Sequence, residues 1–144
     1  MVRLIILLLG ITLLSCNSRA QDETVQDTAI NWLTWNEALT LQSLSSKKIF
    51  VMVGTDWSIP CSKMHATTFL DTAVVQILNN DFYPVLLDAE SKDTIRYRDI
   101  DFVFKPEGDS GFHQLATSLL NGDMSFPSLI ILSETQERLN ISRG

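Results

Sequence analysis

The stretch Asp56-Trp57-Ser58-Ile59-Pro60-Cys61-Ser62-Lys63-Met64 decides how this chain is read. It follows Ile49-Phe50-Val51-Met52-Val53, a short, continuous, partly β-branched apolar run that reads as a buried strand. A helical pattern comes after it, with Pro60 in the first turn, where a missing N–H costs nothing. A side chain at such a strand-to-helix junction lies near the positive end of a helix dipole, which favours negative charge there. The stretch is thus both a fold signal and a candidate site.

Working outward, the chain has 144 residues, room for one domain with a real core. Its 45% hydrophobic and 19% charged residues suit a globular protein once the N-terminus is set aside. Met1-Val2-Arg3 followed by the nearly all apolar residues 4–14 and Ser15-Cys16 describes a secretory signal, too short for a comfortable membrane span. Leu13-Leu14-Ser15-Cys16 also resembles a bacterial lipobox, whose cysteine is acylated and becomes the first mature residue. The alternative is ordinary cleavage after Ser18-Arg19-Ala20. Residues 1–15 are therefore expected to be a lipoprotein signal, 16–29 a polar, acidic tether, and 30–144 the folded domain.

The formal net charge is −6, and losing residues 1–15 removes one base, Arg3, and no acid. With no basic cluster, nucleic acid is not an expected partner. Only Cys16 and Cys61 are present, so acylation or removal of Cys16 leaves Cys61 alone. A lone cysteine in an oxidising compartment is either a buried hydrophobe or a thiol that meets other molecules.

Along the chain, Ile30-Asn31-Trp32-Leu33 alternates like a short edge strand, and Thr34 with Glu37 offers a capping box for a helix to about Ser45. Asp71 is expected to cap a helix with Val74, Ile77 and Leu78 on its inner face, before a strand over 83–88. Residues 94–97 and 102–104 pair as a hairpin around Asp99-Ile100-Asp101. Ser110 is expected to cap a helix in which Phe112, Leu115, Ala116, Leu119 and Leu120 share a face, ended by Gly122. A buried strand over 129–132, a turn, and a returning strand over 138–142 complete an alternating order that implies a mixed sheet and a final antiparallel hairpin.

Three features resemble the thioredoxin superfamily over residues 30–144. They are the strand–Trp57-x-x-x-Cys61–helix unit, Phe126-Pro127 directly before a buried strand, and the segment from Phe102-x-Phe104-x-Pro106 through Gly111-Phe112-His113 to Leu120-Asn121-Gly122. The last, with Thr67-Thr68-Phe69, is similar to secreted thioredoxin-like proteins common in the Bacteroidetes. The resemblance implies an α/β fold with a central mixed β-sheet flanked by helices, here lacking the last helix. It implies a cis bond at Pro127 facing the site, and a groove for extended client peptides rimmed by Trp57 and Phe126. Since the family's last helix covers one sheet face, Ile130, Leu132 and Ile141 are expected to be partly uncovered, to be met by a dimer, a partner or a longer chain.

The family's site is C-x-x-C, and here Ser58 stands at the first, nucleophilic position. A hydroxyl with no activating base is a poor nucleophile at neutral pH. The family's buried aspartate, six residues earlier, is replaced by Met52. Both losses disable the same relay. The expected function is therefore a redox-derived, cell-envelope module that binds protein or peptide clients with little dithiol turnover and no cofactor. The alternatives are a single-thiol oxidoreductase or isomerase acting through Cys61, with a redox partner supplying the missing thiol, and a structural envelope lipoprotein. Cys61, His65 and His113 are metal-ligand types, but no fourth ligand is suitably spaced, so solvated histidines and no metal are expected.

If Cys16 is acylated, Cys16→Ala releases the protein into the soluble envelope fraction or leaves it unprocessed. Each buried CH₂ of an acyl chain contributes about 0.8 kcal/mol, so losing several chains is decisive. Membrane fractionation and intact mass check this, and no change in either excludes the anchor.

Overall fold

The structure, a computed structural model, describes residues 28–144. The signal reading of residues 1–15, Cys16, and all of the tether except Thr28 and Ala29 lie outside the described residues. Helix α1 (Trp35–Leu44) is the first regular element among the described residues, its capping box closed by reciprocal bonds between Thr34 and Glu37. Those bonds hold the Glu37 carboxyl below its usual range. Strand β1 (Lys48–Gly54), helix α2 (Ile59–Ala66), a 3-10 turn (Thr68–Leu70), helix α3 (Thr72–Asp81) and strand β2 (Phe82–Asp88) follow. Two small hairpins come next, β3 (Ile95–Tyr97) with β4 (Ile100–Phe102) and β5 (Phe104–Glu107) with β6 (Ser110–His113). Helix α4 (Gln114–Leu120) and strands β7 (Ser128–Leu132) and β8 (Arg138–Arg143) finish the fold.

The main sheet has the order β2-β1-β7-β8, parallel between β1 and β2 and antiparallel elsewhere. Strand side chains alternate between faces, so the unbroken apolar run of β1 feeds two layers. Ile49, Val51 and Val53 pack with Trp35, Leu115 and Leu120 beneath α1 and α4. Phe50 and Met52 pack with Cys61, Phe69, Val75 and Leu78 beneath α2 and α3. Each such aliphatic side chain, fully buried, contributes about 1.5–3 kcal/mol. This mixed, helix-flanked sheet is the α/β architecture expected from the sequence, with β8 as the last element among the described residues. No helix among those residues is long and apolar enough to cross a membrane.

Several local expectations are corrected. The edge strand at 30–33 is one bridge, Leu33 to Val85, because a turn from Trp32 N–H to the Ile30 carbonyl (3.0 Å) interrupts it. Asp71 caps α3 as expected, its Oδ1 accepting from Ala73 and Val74, but the buried residues are Val75 and Leu78, and Ile77 is exposed. The first hairpin turns at Arg98-Asp99, both with positive φ (50° and 61°), and pairs Ile95 with Phe102, not around Asp99-Ile100-Asp101. Two positive-φ residues are what a two-residue turn between twisted strands requires, and with no glycine there the sequence hid it.

The largest correction concerns residues 104–113. Ser110 caps no helix, because it pairs with Glu107 in the β5–β6 hairpin. Gly111 explains why: its φ of 151° and the Lys105 carbonyl against its missing Cβ admit only glycine in this pairing. Helix α4 starts three residues later with His113 as cap, and ends at Asn121 in the left-handed region. The His113 ring is fully buried, not solvated. Its Nδ1 accepts from Leu115 N–H at 3.2 Å, so the proton lies on Nε2, which donates to the Asp93 carbonyl at 3.0 Å.

The expected uncovered residues also change. Ile130 and Leu132 are buried, because they point toward α1 and α4, whereas Leu129 and Ile131 on the α2 side are only half-buried. Ile141 is half-buried beside Ile130. On β8, at the sheet edge, Arg138 donates to the Leu119 carbonyl (2.7 Å) and Arg143 pairs with Asp123 (2.8 Å) and reaches the Leu120 carbonyl. Two cations thus sit at the negative end of α4.

His113→Leu removes the acceptor for the α4 cap and the donor to Asp93. A drop of about 1–3 kcal/mol in unfolding free energy is expected, with a smaller loss for His113→Asn, which keeps a cap acceptor. Denaturant melts check it; a parent-like His113→Leu melt refutes the capping role.

Candidate functional site

The site lies where β1 ends and α2 begins. Ser58 is the N-cap of α2, its Oγ accepting from Cys61 N–H at 3.3 Å, while its carbonyl accepts from Ser62 N–H at 3.1 Å. Serine is among the best residues for this position, where a cap is worth about 0.5–2 kcal/mol. Its hydroxyl also points at the Phe126 carbonyl, 3.5 Å away, and only 4% of Ser58 is exposed. The residue at the nucleophile's position therefore holds the helix start and spans to the loop before β7.

Cys61, one turn into α2, is 3% exposed, and its sulfur faces inward. A Cβ built on Gly54 would stand 3.0 Å from Cys61 Sγ and 3.4 Å from the Met52 methyl, so sulfur and thioether close on one point at the end of β1. Met52 is fully buried. The place where the thioredoxin resemblance puts an acid is thus occupied by an apolar group beside the thiol. A cavity of about 140 Å³ adjoins, with Met52, Gly54, Thr55 and Cys61 inside and exposed Asp56 and Ser62 on its rim.

Across the helix start, the Phe126–Pro127 bond is cis, and Pro127 is buried. Trp57 is 63% exposed and stands edge-on to Phe126, with ring centroids 6.0 Å apart. Phe126 in turn meets Phe112 at 5.8 Å. A larger cavity of about 650 Å³ continues from Phe112 between β5–β6 and α4, lined also by Phe102, Lys105, Gln114 and Met124. The aromatic row and this cleft form one surface.

The structure therefore brings Trp57, Ser58, Cys61, Phe126 and Pro127 together, as the sequence reading placed them. It does not gather the histidines. His65 packs edge-on against Trp32 (6.0 Å) and Phe69 (5.3 Å), and His113 is committed to capping α4. Among the described residues no three His, Cys, Asp or Glu side chains form a metal-sized cluster. Sequence reasoning missed Gly54 and Thr55, which shape the cavity, and Phe112 as the third aromatic. Gly54-Thr55 directly after the strand was the available signal. Phe112 was hidden by its fit to the helical pattern of α4.

A family model named Thioredox_DsbH, described as a protein of unknown function, DUF255, matches residues 14–137. The chain belongs to the DsbH thioredoxin-like family. No curated protein sequence matches it. Among solved structures, a DsbH oxidoreductase aligns with a TM-score of 0.58 at 18% identity, covering 93% of this chain and 82% of the other. A putative disulphide-isomerase from Bacteroides thetaiotaomicron aligns at 0.55 and 21% identity, covering 83% and 82%. A thioredoxin from Thermus thermophilus aligns at 0.58 and 18% identity, covering 81% and 76%. At these identities the likeness establishes the thioredoxin fold for this DsbH family member.

Ser58→Cys tests the site's remaining redox geometry. The reduced variant should lose about 1 kcal/mol with the cap, then form an intramolecular disulfide with Cys61 on oxidation. Insulin reduction should stay slow, because Met52 cannot take a proton, and Met52→Asp in that background should speed it. Mass and turbidity assays check both steps. No disulfide in Ser58→Cys would mean that positions 58 and 61 no longer converge.

Proposed function

We propose that this DsbH family member is a client-binding module of the cell envelope, derived from thiol-disulfide oxidoreductases and without dithiol turnover. The observation that carries the reading is the exchange of roles at the start of α2: Ser58 caps the helix at the nucleophile's position, and Cys61 is buried. An exposed Trp57 beside Phe126 and Pro127 remains as a surface for an extended peptide. Aromatic side chains of this kind dominate binding energies because they bury large areas with few rotamers to freeze. Burial of Cys61 argues against its direct attack on protein disulfides. The export reading is supported by the lipobox-like Leu13-Leu14-Ser15-Cys16, and with it the clients would lie outside the cytoplasm.

The test separates binding from redox chemistry. An unfolded protein with all its cysteines carboxymethylated should bind, since no thiol is needed, and insulin should not be reduced. Trp57→Ala and Phe126→Ala should each weaken that binding about tenfold, or about 1.4 kcal/mol, above the roughly 1 kcal/mol that most interface side chains contribute. Parent-like affinity in both variants, or insulin reduction at the rate of an intact dithiol enzyme, overturns the reading.

A further inference from the structure

The tether joins the domain at one end of the main sheet, and the candidate site lies at the other. Asn79 holds the entering chain, its Nδ2 donating to the Ala29 carbonyl and its Oδ1 accepting from Asn31 N–H, both at 2.9 Å. Asn79 sits in the last turn of α3, just before β2 begins with Phe82 paired to Lys48. Lys47 Nζ reaches the Asn79 carbonyl at 3.5 Å, so the entry point, Lys47 and Lys48 share one pole. Helix α1 also ends there, on Leu44, which is 80% exposed. From Lys48, β1 rises about 20 Å to Gly54 before the turn that delivers Trp57.

Charge is divided along the same axis. Past the ends of β1 and β2, Asp56, Asp88, Glu90 and Asp109 line two adjoining cavities, and Lys92 is the lysine among them. Lys105 and Glu107, which line the next cleft, offset each other. At the tether pole, Gln42 ties the Lys47 carbonyl to the Ser133 carbonyl, which brings the β7–β8 turn alongside. There Lys47, Lys48 and Arg98, which reaches the Thr135 carbonyl, stand against Asp81, Glu134 and Glu137. The tether pole is thus balanced and the site pole acidic. An anionic surface repels the second and tolerates the first. Screening confines this choice to the pole in contact, within about 8 Å at physiological salt.

The tether alone does not choose. Thr28 lies twelve residues beyond Cys16, a span of at most about 40 Å, which leaves the domain free to roll. We propose that, with Cys16 anchored, the pole formed by Leu44, Lys47 and Lys48 docks on an anionic phospholipid surface and turns the Trp57–Phe126 surface away from the bilayer. Leu44 enters the headgroup boundary as an apolar anchor, and the two lysines meet lipid phosphates while their alkyl stems stay on the protein. Clients then reach the aromatic surface from the aqueous side. The inference rests on the acylation of Cys16 and, for what the docked domain presents, on the client-binding reading.

The lipidated protein is placed on vesicles of phosphatidylethanolamine with phosphatidylglycerol, and in parallel on neutral phosphatidylcholine vesicles. Both samples are acetylated with a membrane-impermeant amine reagent, and the rate at each lysine is read by peptide mass. On the anionic vesicles Lys47 and Lys48 should react about fivefold more slowly, the worth of one lysine near such a surface. Lys63, Lys92 and Lys105 should keep their rates. Leu44→Glu should abolish the slowing, and parent-like slowing in that variant overturns the role of Leu44. Slowing at Lys63, Lys92 or Lys105 in place of Lys47 and Lys48 overturns the orientation, and no selective slowing overturns the docking. Failure of the anchor is read separately, from the mass of the peptide that carries Cys16. In that case the chain beginning at Cys16 is coupled there to a maleimide lipid, and the same lysines decide. Loss of client binding would leave the lysine pattern unchanged, so the two readings fail independently.

Discussion

Strand β1 is covered on both faces, and that constraint orders the rest. Ile49, Val51 and Val53 on one face and Phe50 and Met52 on the other are buried. A strand with two apolar faces needs a helical layer on each side and a paired neighbour at each edge. Helices α1 and α4 supply one layer, α2 and α3 the other, and β2 and β7 the edges. The C-terminal end of β1 then has one exit, into the turn that delivers Trp57 and Ser58. The position of the site is a consequence of how the core is filled.

At that exit, one substitution changes a job description. A cysteine at position 58 would place a sulfur at the helix start. Serine instead turns its oxygen back to the Cys61 amide, and the space that a working dithiol site would keep polar is filled by the Met52 methyl. Local stability and reactivity are in opposition here, because a side chain that accepts from the first-turn N–H groups is less available to attack anything else. The aromatic surface is untouched by that change. Trp57, Phe126 and Phe112 are held by their own loops and by β6, none of which depends on a thiol.

The fold was legible because its deciding signals are local. A continuous apolar run, a proline in a first turn and a capping aspartate each act within a few residues. The same holds for Ser58, Cys61, Phe126 and Pro127, which a sequence can place once the strand–helix unit is recognised. What stayed hidden depends on contacts distant in sequence. Whether Cys61 faces inward is set by its packing with Met52 and Phe69. Phe112 satisfies a helical spacing yet sits in β6, because Gly111 and Lys105 pair first. Val75 displaces Ile77 from the core through the phase of α3, which a three-residue pattern fixes only loosely. Thr55 gives no periodic signal at all.

The arginines of β8 carry a meaning beyond their bonds to α4. An edge strand is an invitation to a second copy, since its unpaired N–H and C=O groups accept another strand without discrimination. Were two molecules to meet antiparallel along β8, Arg138 of one would face Arg143 of the other at both ends of the joint. Each guanidinium that anchors the last strand to its own helix also posts a like charge at the border. Charged side chains placed along an edge in this way disfavour edge-to-edge pairing.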